Sequence, residues 1–86
     1  VVMAELEDRH RAGAVQDVHD LMEGLGYRTY FIRGDDLVDF SHFDPERNQD
    51  QSRAELYVRN FVFIHESRLD AVRGRLRTHG FGMVDS

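Results

Sequence analysis

Eighty-six residues with 41% hydrophobic and 31% charged side chains, six phenylalanines, three tyrosines and a single proline describe one small globular domain, able to bury only about 60–65% of the surface its unfolded chain exposes. No apolar run approaches the ~20 residues of a membrane helix, and 16 acidic against 11 basic residues, a net charge of −5, speak against a nucleic-acid partner. The absence of cysteine removes disulfides, thiolate nucleophiles and Cys-ligated metals and fits a cytoplasmic chain, while an all-arginine set of cations removes lysine Schiff-base chemistry.

The opening VVMAEL (1–6) is continuous, apolar and β-branched, which predicts a short strand buried on both faces. Ala14, Val18, Leu21, Met22 and Leu25 then recur with helical spacing, so 14–25 is a helix with that stripe facing the core. Gly26 follows as a left-handed stop. YRTYFI (27–32) is a strand, and Arg33-Gly34-Asp35-Asp36 turns it into LVDF (37–40) as the return arm of a hairpin. Residues 41–56 hold the only proline and little apolar periodicity, so they form a long loop with one helical turn after Pro45. YVRNFVFI (57–64) alternates Tyr57, Arg59, Phe61 and Phe63 against Val58, Asn60, Val62 and Ile64, the pattern of a strand. Ser67 with Asp70 three residues on reads as a capping box for a helix over 67–79, ended by Gly80. FGMVDS is a candidate final strand.

This order predicts an α/β domain of α+β-like character: a split βαβ with a three- to four-stranded mixed sheet in strand order 1-3-2, the third strand antiparallel between two parallel ones. The outer edge of strand 1–6 then needs a partner. Phe81 to Val84 lying antiparallel, which completes a ferredoxin-like sheet, is one solution; self-pairing into a homodimer is the other.

Chemical motifs are sparse. Asp44, Glu46, Asn48, Asp50, Ser52 and Glu55 have the oxygen spacing of a calcium loop, but Gln49 stands where that loop needs glycine, and the segment reads as a solvated acidic loop. The five histidines never recur at metal-ligand spacings, and no phosphate-loop, dinucleotide or nucleophile-elbow fingerprint occurs. His10 is the sharper candidate. It follows a predicted strand among Glu5, Glu7, Asp8 and Arg9, and ligands of open α/β sheets gather at the carboxyl ends of strands. An imidazole there has the intrinsic basicity of a general base, with a solvated connection as the bland alternative. Arg68, Arg73, Arg75 and Arg77 read as a solvated helix face.

The run VVMAELEDRH, a helix into LMEGLGYRTYFIRGDDLV, then FDPERNQD and YVRNFVFI, resembles the C-terminal part of FkbM-type methyltransferases over residues 1 to about 65. The resemblance implies an S-adenosylmethionine-dependent O-methyltransferase acting on a small-molecule hydroxyl acceptor, with 1–6, 27–32 and 57–64 as the fifth, sixth and reversed seventh strands of its sheet. It implies Glu5 and His10 at the catalytic rim, and Glu7, Arg9, Asp44, Arg47 and Asn48 as acceptor-binding residues. The family's glycine-rich cofactor loop and acidic ribose partner have no counterpart in these 86 residues. The chain is therefore expected to be a fragment, inactive alone and unable to bind S-adenosylmethionine or a metal by itself. The alternative is an independent, non-enzymatic binding or regulatory domain of ferredoxin-like type.

Overall fold

The computed structural model describes residues 1–8, 11–50, 52 and 57–85. Strands β1 (Val2–Glu5), β2 (Tyr27–Arg33), β3 (Asp36–Asp39), β4 (Asn60–His65) and β5 (Gly82–Val84) form one mixed sheet, accompanied by helices α1 (Ala14–Gly24), α2 (Pro45–Asn48) and α3 (Leu69–Thr78). The sheet order is β1-β4-β2-β3-β5. β4 runs antiparallel to both neighbours, with Ala4 opposite Phe61 and Tyr30 opposite Val62, so β1 and β2 are parallel and β4 lies reversed in the gap between them. This is the split βαβ that the sequence predicts, extended by the hairpin arm β3 and by β5.

Period-two alternation divides the core. Phe61 and Phe63 of β4, Phe31 of β2 and Val38 of β3 face α1, where they close on Val15, Val18 and Met22. Tyr30, Val62 and Ile64 point the other way, against Leu69 and Val72 of α3 and Met83 of β5. Each fully buried Phe, Val or Ile contributes about 1.5–3 kcal/mol, so the two faces of β4 dominate the stability of the fold.

The predicted face of α1 is rotated. Val15 is buried and Val18 and Met22 pack inward, whereas Leu21 and Leu25 are 63% and 59% exposed. The inward stripe is thus 15, 18, 19 and 22, and it carries His19. Strand β4 starts later than predicted, at Asn60: Val58 joins the α1-side core with Phe61 and Phe63, and its N–H goes to Asn48 O at 2.7 Å rather than into the ladder.

Three further expectations are corrected. The predicted Ser67 cap is replaced by His65, whose ring accepts from Ser67 N at 3.2 Å and lies 2.8 Å from Ser67 Oγ, starting a 3-10 turn over 66–68 before α3. Strand 1–6, expected buried on both faces, has Val1, Val2 and Met3 at 69%, 43% and 68% exposure: α3 packs on Tyr30, Val62 and Ile64 of β2 and β4, and on the α1 side only Ala4 and Leu6 of this strand reach the core. The third correction concerns β5, which pairs parallel with β3, Leu37 opposite Met83, and not antiparallel with β1. A ferredoxin-like closure needs both helices on one face. Here α1 and α3 occupy opposite faces, and a crossover of the same hand as β1-α1-β2, started from a reversed strand and carried over the other face, arrives at the β3 edge. Among the described residues no strand pairs with the outer edge of β1.

Candidate functional site

The parallel strands β1 and β2 end on the same side of the sheet, at Glu5 and Arg33, and β4 enters there at Asn60. Three segments therefore meet at this rim: residues 6–8, loop 44–50 and residues 57–59. Leu6 N donates to Arg59 O at 2.8 Å. Gln49 ties the loop to both strand ends, its Oε1 accepting from Asp8 N at 2.7 Å while its amide donates to Leu6 O at 3.4 Å and to Val58 O. Asp8 in turn accepts from Val15 N at 2.9 Å. It thereby satisfies a first-turn donor of α1, whose Gly13 N-cap has no side chain to do so.

Among the residues assigned by resemblance, Glu7 lies in the rim and accepts from the Tyr57 hydroxyl. Glu5 stands at its margin, exposed and opposite Asn60 in the ladder. Arg9 and His10 lie outside the described residues. Asp44 caps α2, accepting from Glu46 N at 3.1 Å, with Pro45 in the first helical turn, where its fixed φ suits a helix start. Asn48 is buried and structural in position: its Oδ1 accepts from Asp44 N at 2.9 Å and its carbonyl accepts from Val58 N. Arg47 is exposed in the same turn. The fold thus brings Glu7, Asp44, Arg47 and Asn48 to one end of the sheet.

Beside them lies a cavity of about 180 Å³, lined by Phe31, Arg33, His42, Arg47, Tyr57 and Val58 among others. His42 is oriented by a 3.0 Å hydrogen bond between its Nε2 and Asp85 O; the carbonyl accepts, so Nε2 carries the proton. Arg33, His42 and Tyr57 are the residues that sequence reasoning missed. Their separation by the hairpin and loop leaves no local spacing to read, and the signal that was available is only the placement of Arg33 at the end of a predicted strand.

A second polar cluster sits toward the start of β2. His19 Nδ1 is 2.8 Å from Thr29 Oγ1, its Nε2 is 3.2 Å from Glu23 Oε2, and its ring stacks on Phe40 with centroids 4.0 Å apart. Thr29 is 3% exposed, and its hydroxyl is engaged in the bond to His19. Of the acidic residues in the calcium-like spacing, Asp44 is engaged at the α2 cap and Asp50 with Ser52, and Glu55 lies outside the described residues. Among the described residues no group of three or more His, Cys, Asp or Glu side chains could hold a metal ion.

Comparison with protein-family models, with curated proteins and with solved structures returns no match for this chain.

Proposed function

We propose that this chain is the acceptor-side, C-terminal segment of an S-adenosylmethionine-dependent O-methyltransferase of FkbM type, contributing a small-molecule hydroxyl-binding rim and not the cofactor site. The observation that carries the reading is the reversed β4 between parallel β1 and β2, combined with an apolar β1 that exposes Val1, Val2 and Met3 along an unpaired edge. Such an edge is the mark of a strand with a further neighbour. The ferredoxin-like alternative loses its main support, since β5 joins β3 instead of closing on β1.

The residues present do not fit the cofactor. The turn from β1 into α1 offers no glycine-rich cradle, and a first-turn N–H of α1, the kind of donor that would meet a carboxylate, is already bonded to Asp8. Methyl transfer is accordingly assigned no step on this chain, whose part is to bind and orient the acceptor. A cytoplasmic location goes with this reading, in line with the lack of cysteine.

The coding sequence upstream of the Val1 codon tests the proposal. An in-frame glycine-rich loop after a strand, followed by an Asp-x-Glu-Gly segment, is the expected finding, and an initiator codon directly before Val1 with a stop behind it would refute it. Calorimetric titration of the 86-residue chain with S-adenosylmethionine adds a second check: no saturable heat is expected, and saturable binding would show the cofactor site to be complete here.

A further inference from the structure

We infer that the cavity between Arg33, His42 and Arg47 binds the phosphoryl group of a small-molecule ligand. The chain carries 16 acidic and 11 basic residues, yet among the described residues no carboxylate lines this cavity, while two arginines and a histidine do. Local charge is therefore opposite in sign to that of the whole molecule. Both guanidiniums are also uncommitted: among the described residues neither Arg33 nor Arg47 forms an ion pair or a side-chain hydrogen bond, although other cations find partners, as Arg11 does with Asp17 and Arg73 with Asp85. Two guanidiniums that line one cavity without a partner among the described residues offer planar forks of N–H donors, which suit an oxyanion. The arrangement arises from the fold alone. Arg33 ends β2, Gly34 turns the chain with φ +60°, His42 follows the returning arm and is held by Asp85 O, and Arg47 projects from α2. With about 30 Å³ as the liquid-volume share of one water, about 180 Å³ has room for a phosphoryl group and part of what it is attached to. Phe31 and Val58 at the floor suit the apolar or carbon-rich part of the ligand. The position, at the carboxyl ends of β1 and β2, is where ligands of such sheets collect.

The binding claim stands on the cavity alone; that the bound molecule is the methyl acceptor rests on the function proposed above. Titration of the 86-residue chain with inorganic phosphate, followed by two-dimensional NMR at constant ionic strength, tests the binding. Saturable shifts centred on Arg33, Gly34, His42 and Arg47 are expected. Arg33→Gln and Arg47→Gln should each weaken binding about tenfold, as loss of one charge-assisted contact does, while Arg75→Gln on α3 should change it less than about twofold. Both arginines lie at the surface, and an unchanged dispersed spectrum of each variant reports that it is folded. Shifts that chloride reproduces, that fail to saturate, or that persist in the double variant would overturn the inference. Tighter binding of acetate than of phosphate at the same resonances would overturn the choice of phosphoryl group. None of these readouts involves the cofactor, so phosphate binding without an upstream cofactor half would leave the site standing and remove the methyltransferase reading, and the reverse result would do the opposite.

Discussion

Gln49 and Asp8 stand 41 residues apart in sequence and are joined by one hydrogen bond of 2.7 Å, from the Asp8 N–H to Gln49 Oε1. The same side chain donates to Val58 O and to Leu6 O, so a single amide fastens the long loop to the ends of β1 and β4. Replacing it with alanine leaves these backbone groups without their partner, at about 1–3 kcal/mol for one buried group left unmade. Gln49→Ala should therefore lower the urea unfolding free energy by about 2 kcal/mol. A loss below about 0.5 kcal/mol would mean that the loop is held by other contacts.

Gly26 occupies a position where a side chain is strained and crowded. Its φ is +87°, and a Cβ there would sit 3.0 Å from His65 Nε2. The left-handed conformation costs a non-glycine residue about 1–2 kcal/mol, and the clash disturbs the imidazole that caps the turn into α3. Gly26→Ala is expected to destabilise by about 2 kcal/mol, measured by chemical denaturation. Gly24, which has no neighbour within 4 Å of a Cβ and lies in the last turn of α1, is the control. Gly24→Ala should be neutral or stabilising.

Tyr30 is fully buried, and its hydroxyl has no hydrogen-bond partner among the described residues. Burial raises its pKa above the usual phenol value, with Asp85 and Asp39 adding to the rise and Arg28 and Arg73 opposing it. Because the folded value is the higher one, stability is whole below about pH 10, the ordinary phenol pKa, and is lost as pH climbs through the raised folded value. Tyr30→Phe should match or exceed the parent by up to about 1 kcal/mol at neutral pH, since it removes an unsatisfied buried hydroxyl. Its advantage should grow above pH 10. Denaturation curves at pH 7 and 10.5 check this, and a parent protein that loses no stability relative to the variant at the higher pH would contradict it.

Met3 is 68% exposed on the unpaired edge of β1, beside an apolar groove lined by Val62, Ile32, Val72 and Leu76. No lysine, proline or bulge interrupts this edge, the devices by which proteins block strand-to-strand association. In the isolated chain a second copy is expected to pair there, giving a concentration-dependent dimer in sedimentation velocity. Met3→Lys should shift that equilibrium to monomer while changing stability by less than about 0.5 kcal/mol, as suits an exposed site. A parent chain that stays monomeric into the high micromolar range would remove the homodimer.

The order of the elements and the pattern within them are legible in the chain alone. Alternation of Phe61 and Phe63 against Val62 and Ile64 is enough to define a central strand with two buried faces, and Gly26 and Gly80 end their helices with φ of +87° and +80° because only glycine adopts that conformation without strain. Pro45 after Asp44 likewise announces the α2 turn, a local matter of capping. The split arrangement of β1, β4 and β2 was also legible, since a short helical crossover makes its two strands parallel.

The relations between elements arise from long-range packing. The face on which α3 packs sends β5 to β3 and leaves β1 open, and helical periodicity does not distinguish one face of a sheet from the other. The rotation of α1 that buries Val15 and turns His19 inward while exposing Leu21 and Leu25 follows from the shape of the aromatic surface it meets, which involves residues from β2, β4 and the turn after β3. The candidate site is the extreme case. Glu7 meets Tyr57, and Arg33, His42 and Arg47 share one cavity, because parallel strands end on the same side and a long loop folds back over them. Such convergence depends on long-range packing, and the spacing of residues along the chain carries no trace of it.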